Sequence, residues 1–169
     1  MKYVLIIAFA IGFITSVNAQ EKTESLTTTY YLIRHAEKDR TDDTNHDPNL
    51  KDEGLERADN WSKVFQHIDF DAVYSTQYNR TMETAAPTAE MQELEIKFYD
   101  PRNLYSEEFA KATLGKTVLI VGHSNTTPVF VNAILGEQKY EDMDDHDNGS
   151  LYIVTISEGH TIDQVLKIN

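Results

Sequence analysis

The sequence predicts an α/β fold: a three-layer sandwich with a mainly parallel central sheet and helices on both faces. Strand-like apolar runs alternate with helix-like segments along most of the chain. The run TVLIV, residues 117–121, is apolar throughout, which is typical of a central strand covered on both faces. The chain has 169 residues, 40% hydrophobic and 25% charged, which suits one domain with a full core.

The first half of the predicted domain contains three strands and two helices. The helices are inferred from apolar residues that recur at helical spacing, and we expect Pro87 to bend or shorten the second one. In order, the segments are a strand over 29–33, a polar loop over 36–49, a helix over 49–68, a strand over 70–75, a helix over 78–92 and a strand over 95–100.

The second half continues the alternation and closes with a hairpin. Pro128 fits the first turn of its main helix, and Gly136 is a plausible end for that helix. In order, the segments are a loop and short helix within 101–115, a strand over 117–121, a helix over 126–135, an acidic loop over 140–150, and strands over 151–156 and 161–168 joined by SEGH.

The N-terminus has the pattern of a secretory signal peptide. An apolar run over residues 4–14 is followed by Val17 and Ala19, small residues at the positions before a cleavage site. The run is too short for a comfortable membrane span, which takes roughly 20 residues. We therefore expect export to the periplasm or the medium without stable membrane insertion. The chain divides into a signal peptide over 1–19, a flexible lead-in over 20–28 and one domain over 29–169.

The composition excludes several classes of function. A formal net charge of -13 argues against binding to nucleic acid or to an anionic membrane, since both need basic surface. Any anion site must then be a local cationic pocket. The chain has no cysteine, which excludes disulfides, thiol catalysis and cysteine-ligated zinc.

Basic side chains and imidazoles follow three of the predicted strands. The first strand runs into Arg34 and His35, the second comes shortly before Arg80, and TVLIVG runs into His123. In open α/β sheets the ligand crevice lies beyond the carboxyl ends of the strands, so these side chains are expected at one pocket.

The chemistry of that pocket follows from the residue types. The guanidinium groups of Arg34 and Arg80 match phosphate oxygens, and a neutral imidazole is a competent nucleophile toward phosphorus. The second imidazole, if protonated, could donate to developing negative charge. Helix N-termini after the strands would add backbone N–H groups.

Several segments, in this order, resemble the histidine phosphatase superfamily, the phosphoglycerate mutase-like branch 1. They are YLIRHAE, NLKDEGLERA, VYSTQYNRTMETA, VLIVGHSNTTP and NGSLYIVTI, and together they cover nearly all of the chain after the lead-in. The resemblance implies that His35 is a nucleophile that forms a phosphohistidine, and that Arg34, Arg80 and His123 bind the phosphoryl group. It implies no metal and no organic cofactor. Ala36 stands where the family usually has glycine, as in its small Arg-His-Ala members.

The proton donor for the leaving group is not fixed by the resemblance. One branch of the family has an Asp directly after the second histidine, where this chain has Ser124. By analogy with the mutase-like members, Glu107 is the weak candidate, with Glu108 beside it. Glu37 and Asp39 are alternatives near the predicted pocket.

Other polar residues have two interpretations or a purely structural one. Ser124 and Asn125 could contact substrate or only cap the following helix. Arg102 is expected to be an exposed surface residue. The acidic stretches DDTNHD and DMDDHD could suggest a metal site but are interpreted as solvated loops, and the first does not fit a calcium loop.

The sequence thus predicts an exported, metal-independent phosphatase that hydrolyses a phosphomonoester or a related phosphoryl compound through phospho-His35. Its substrate would be a phosphorylated small molecule, glycan or protein, and the protein would be a monomer or weak dimer. A mutase is disfavoured because the loop region is short. The alternative is a non-catalytic phosphate-binding module on the same fold.

Overall fold

A computed structural model describes residues 26–168, so the predicted signal peptide and most of the lead-in lie outside the described residues. Ten elements make up the domain. They are β1 (Thr28–Arg34), α1 (Asp52–Val64), β2 (Ala72–Ser75), α2 (Asn79–Met91), β3 (Ile96–Phe98), α3 (Glu107–Thr113), β4 (Thr117–Gly122), α4 (Thr126–Leu135), β5 (Ser150–Ser157) and β6 (His160–Lys167).

The strands form one six-stranded sheet in the order β3-β2-β4-β1-β5-β6. The strands β3, β2, β4 and β1 pair in parallel, whereas β5 runs antiparallel to both β1 and β6. The predicted mainly parallel sheet is therefore confirmed, with the C-terminal hairpin as its antiparallel edge.

Helices cover both faces of the sheet because the side chains of β1 alternate between two cores. Tyr30 and Leu32 pack with Phe130 of α4 on one face. Ile33 packs with Trp61 of α1 and with residues of α2 on the other face. This period of two explains why the central strands are apolar throughout, as the sequence suggested.

Most element boundaries lie within one or two residues of the predicted ones, and the first helix differs most. The first helix ends at Val64, because the chain turns at residues 65–67. Pro87 lies inside α2 without ending it. Gly136 ends α4 with a φ of 73°, a left-handed conformation that glycine adopts without strain. Within residues 26–168, no helix has the length and apolar character needed to cross a bilayer.

The strand register positions the chemistry. Arg34, the last residue of β1, lies opposite Gly122, the last residue of β4. The residues that follow, His35 and His123, therefore emerge side by side. Ser75 of β2 lies opposite Val121, which brings the start of α2 to the same edge. The sheet thus gathers the carboxyl ends of β1, β4 and β2 at one crevice.

Gly54 allows the first turn of α1 to approach the segment after β1. A Cβ atom at this position would lie 2.2 Å from the backbone oxygen of Glu37. We predict that Gly54→Ala lowers the free energy of unfolding by about 2 kcal/mol, because the backbone must shift to make room. Urea unfolding measures the change. Lys111→Ala, on the exposed face of α3, is the control and should stay within about 0.5 kcal/mol; an equally small change for Gly54→Ala would contradict the packing argument.

Candidate active site

His35 is buried at the end of β1, with 4% of its surface exposed. Its backbone N–H donates to the carbonyl of Gly122, which ties it to the end of β4. Its Nδ1–H donates to the carbonyl of Ala36 at 2.7 Å. A carbonyl can only accept, so the proton resides on Nδ1 and the lone pair of the ring is on Nε2. The fold therefore presents His35 in the tautomer that a nucleophile needs.

Ala36 takes the usual glycine position without strain. It is fully buried, and its N–H donates to the hydroxyl of Thr84 in α2 at 2.9 Å. The only non-glycine residues with positive φ in the described chain are Glu93 and Glu158. The backbone at Ala36 therefore does not require glycine.

His123 follows β4 and faces His35, with 5.5 Å between the ring centroids. Its Nε2 lies 3.0 Å from the hydroxyl of Thr76, which also contacts the hydroxyl of Thr81. The Thr76 hydroxyl can donate to Nε2 or accept from it, so it can support either tautomer. The ring nitrogen that remains for a ligand is Nδ1. When Thr76 donates to Nε2, the proton of a neutral His123 is on Nδ1 and can be given to an anionic oxygen.

Both imidazoles are neutral near pH 7. Burial lowers the pKa of His35 to about 3; the charges of Arg34 and Arg80 act in the same direction, against the hydrogen bond to Ala36. Burial likewise lowers the pKa of His123 to about 4, helped by Arg80 and Arg34. The condition under which the sequence analysis had this imidazole donate, a protonated ring, is thus not met in the unliganded site. His123 acts as a neutral donor unless a bound anion raises its pKa.

Arg80 begins α2 and keeps much of its guanidinium available. Its side chain is 11% exposed and lies over the ring of Tyr78, 4.4 Å from the centroid. Its contact to the carboxylate of Asp47 is loose at 3.6 Å, and its Nε is buried without a partner among the described residues.

The guanidinium group of Arg34 was expected to be free to bind phosphate oxygens, but it is already hydrogen-bonded to the protein. It is 2% exposed, and its Nη1 donates at 3.0 Å to the carbonyls of Asp144 and Asp145. Its Nη2 donates to the Asp145 carboxylate at 3.1 Å. Its Nε has no partner among residues 26–168. The acidic loop predicted to be merely solvated thus folds over the site, and Arg34 offers substrate less of its guanidinium than expected.

Two adjoining cavities open at His35. The smaller, about 340 Å³, is lined by Arg80, His123 and Tyr78, together with the predicted residues Ser124 and Asn125. The larger, about 770 Å³, is lined mainly by the segment after His35 and by the start of α1. The walls that both cavities share are Arg34, His35, Lys38 and Asp145.

The interpretation of Ser124 and Asn125 as helix caps is not supported. Asn125 is the N-cap residue of α4, but its side chain makes no capping hydrogen bond. Thr126 instead accepts from the backbone N–H of His123 at 3.0 Å. The side chains of Ser124 and Asn125 therefore line the cavity without a capping role. Arg102 is 87% exposed and pairs with Asp100, as expected of a surface residue.

The candidate acids differ in where they lie. Glu107 and Glu108 are exposed at the first turn of α3 and line neither cavity, so the fold does not bring the expected acid to His35. Glu37 and Asp39 line the larger cavity. Both oxygens of Glu37 accept from Nε of Arg57, at 2.7 and 2.9 Å. Within residues 26–168 no cluster of three His, Asp or Glu side chains is arranged to hold a metal ion.

Sequence reasoning missed Thr76, Tyr78 and Asp145. Thr76 and Tyr78 lie between β2 and Arg80, in a segment where only the arginine was predicted to take part in the site. Asp145 is one of several acids in a polar run, and nothing in that run distinguishes it. Only the hydrogen bonds that Arg34 makes to the loop identify it.

Residues 30–101 match the family model of the histidine phosphatase superfamily, branch 1. This part of the chain is therefore similar to members of that superfamily. The matched segment includes Arg34, His35 and Arg80 and ends before His123, which the register of β1 and β4 brings to His35. No curated protein sequence matches the chain significantly.

Several solved structures of phosphatases share the fold. A mycobacterial glucosyl-3-phosphoglycerate phosphatase is 13% identical with a TM-score of 0.68, covering 85% of this chain and 100% of its own. A mutant phosphoserine phosphatase from Entamoeba histolytica, bound to phosphoserine, is 15% identical with a TM-score of 0.63, covering 81% and 95%. A candidate phosphohistidine phosphatase, SixA from Agrobacterium tumefaciens, is 19% identical with a TM-score of 0.60, covering 82% and 97%. At these identities the likeness establishes the α/β fold, which these phosphatases also use.

The lowered histidine pKa values predict imidazoles that stay neutral in mild acid. A histidine whose pKa is lowered gains its proton only at lower pH, so His35 and His123 should remain unprotonated from pH 8 to about pH 5. NMR titration of the imidazole resonances, with His67 on the surface as an internal reference, measures this. A midpoint near 6.5 for His35 would contradict the account.

Asp145 competes with any anion for Arg34, which yields a second prediction. Asp145→Asn should tighten the binding of inorganic phosphate about two- to fivefold, the range expected for loss of one exposed charge contact. Calorimetry measures the affinity. Asp142→Asn removes the same charge from the same loop at an exposed position and should leave it unchanged. Weaker binding in Asp145→Asn would mean that the carboxylate instead holds Arg34 in its productive position.

Proposed function

We propose that the protein is an exported, metal-independent phosphatase that hydrolyses a phosphomonoester or related phosphoryl compound through phospho-His35. The observation that carries the proposal is the tautomer of His35: the bond from Nδ1 to Ala36 leaves the lone pair on Nε2. His35 lines the same cavity as Arg80 and His123. A neutral nucleophile beside donors for an oxyanion is the arrangement that phosphoryl transfer needs.

The reaction would run in two displacements. Nε2 of His35 attacks phosphorus, the N–P bond forms, and the P–O bond to the leaving group breaks with its electron pair on that oxygen. Arg80, Arg34 and Nδ1–H of His123 would stabilise the equatorial oxygens. Water then attacks phosphorus, the N–P bond breaks, and phosphate leaves with His35 neutral again.

Local charge outweighs the net charge of the molecule in this scheme. The net charge of -13 comes from charges spread over the molecule, and salt screens the repulsion between an anion and charges more than roughly 10 Å away. The guanidinium groups of Arg34 and Arg80 lie at the cavity wall, where screening is weaker. The site can therefore bind an anion on an acidic protein.

No candidate acid is positioned to protonate the leaving oxygen in this scheme. Glu107 is exposed at the first turn of α3 and lines neither cavity. The pKa of Asp39 is held below its usual range by hydrogen bonds from Thr41, and that of Asp145 by the contact with Arg40, so both are ionised near pH 7. A substrate with a good leaving group would need little acid help. Phosphorylated small molecules, glycans and proteins all remain within the proposal.

Export rests on the N-terminal sequence. Expression of the full chain in a bacterial host, followed by N-terminal sequencing of the mature protein, should give a start at Gln20. An uncleaved chain in the cytoplasm would contradict export, and it would leave the proposed chemistry untouched.

The chemistry predicts turnover that depends on His35 and not on a metal. We expect hydrolysis of para-nitrophenyl phosphate in the presence of chelator, and a loss of at least about 10³-fold in kcat for His35→Ala, because the covalent route is removed. His67→Ala, which changes an exposed histidine, is the matched control. Activity that chelator abolishes, or that survives in His35→Ala, would contradict the proposal.

The alternative is a phosphate-binding module, and one observation favours it. The Asp145 loop already occupies much of Arg34, the arrangement expected of a site that need not turn over quickly. A binding module would show no turnover in the wild type, and His35→Ala would retain phosphate affinity while Arg80→Ala would lose it.

A further inference from the structure

Lys38 is a cation without a partner at the junction of the two cavities. It follows His35 by three residues and is half-buried, and its backbone forms an isolated bridge with Leu50. It lines both the smaller and the larger cavity. Among residues 26–168 its ammonium group makes no hydrogen bond and no ion pair with an acid, unlike the other cations around it.

The other cations of the larger cavity are neutralised by carboxylates. Nε of Arg57 lies 2.7 Å from Glu37, Nζ of Lys51 lies 2.7 Å from Glu53, and Nη2 of Arg40 lies 2.9 Å from Asp145. These pairs fix the wall of the cavity but leave little charge for a ligand. The exception is Lys38.

The charges that act on Lys38 are mostly of its own sign. Burial lowers its pKa, and the positive charges of Arg80, Arg40 and Arg34 add to that effect, opposed by Asp145. Cations grouped in this way repel one another, and a bound anion relieves the repulsion. Lys38 lines both cavities, so a phosphoryl group matched by Arg80 and Arg34 in the smaller one would leave Lys38 available to a ligand group in the larger one.

We propose that Lys38 binds a second anionic group of the substrate, a carboxylate or a further phosphate, carried by the leaving group. This inference rests on the proposed function, in which the phosphoryl group occupies the smaller cavity and the leaving group extends into the larger. The larger cavity, about 770 Å³, has room for the body of a small metabolite beside Lys38. The substrate class is thus a doubly anionic phosphomonoester.

The test compares matched substrates that differ in one anionic group. The first pair is phosphoglycolate and 2-hydroxyethyl phosphate, which differ by a carboxylate. The second is propane-1,3-diyl bisphosphate and 3-hydroxypropyl phosphate, which differ by a phosphate. For each pair, the ratio of kcat/KM values is measured in the wild type, in Lys38→Met and in Lys38→Arg, with Lys111→Met as the control at an exposed lysine.

We expect the wild type to prefer the doubly anionic member of at least one pair. That ratio should fall about tenfold or more in Lys38→Met, through KM, since a hydrogen-bonded charge pair is lost. It should be largely kept in Lys38→Arg and unchanged in Lys111→Met.

Three outcomes would overturn the inference. They are a wild type with no preference in either pair, a ratio that Lys38→Met leaves unchanged, and a loss that is equal for both members of a pair. The last would mean that Lys38 contacts the transferred phosphoryl group or protonates the leaving oxygen. Failure of the proposed function is distinguishable, because the wild type would then not hydrolyse para-nitrophenyl phosphate at all.

Discussion

The parallel pairing of β1 with β4 is the constraint on which the site depends. Both strands are buried on both faces, and their register sets Arg34 opposite Gly122. His35 and His123 must therefore leave the sheet side by side, with backbone positions fixed by the core rather than by a loop. A shift of the register by one residue would turn every side chain of β1 to the opposite face, so the pairing of the histidines and the packing of the core are maintained together.

The burial of Arg34 at the tip of β1 also explains why the acidic loop before β5 folds over the site. Arg34 is buried at the tip of β1, where its guanidinium needs acceptors, and the carbonyls of Asp144 and Asp145 supply them. The same contacts order the loop that ends at β5 and bring a carboxylate beside the crevice. One arginine thus organises the wall of the site.

The sequence was sufficient to predict the fold class and the placement of the two histidines at one crevice, because apolar runs that change abruptly to polar residues mark the strand ends. The apolar run of β4 and the abrupt change to Arg34 and His35 locate two neighbouring strand tips, and the doubly wound topology joins them. The partners of those side chains could not be predicted in the same way. Whether Arg34 meets a ligand or Asp145 depends on a contact between residues more than a hundred positions apart, and no local pattern encodes it. The protonation of His123 was also beyond the sequence, because burial sets it.

The covalent intermediate on His35 is the central claim, and its direct test is to locate the phosphoryl group. The enzyme is mixed with excess para-nitrophenyl phosphate, quenched at alkaline pH to preserve the P–N bond, digested, and analysed by tandem mass spectrometry. The account predicts a phosphoryl group on the imidazole of His35 that disappears as the substrate is exhausted. Rapid turnover without any phosphopeptide, or a phosphoryl group on another residue, would contradict it.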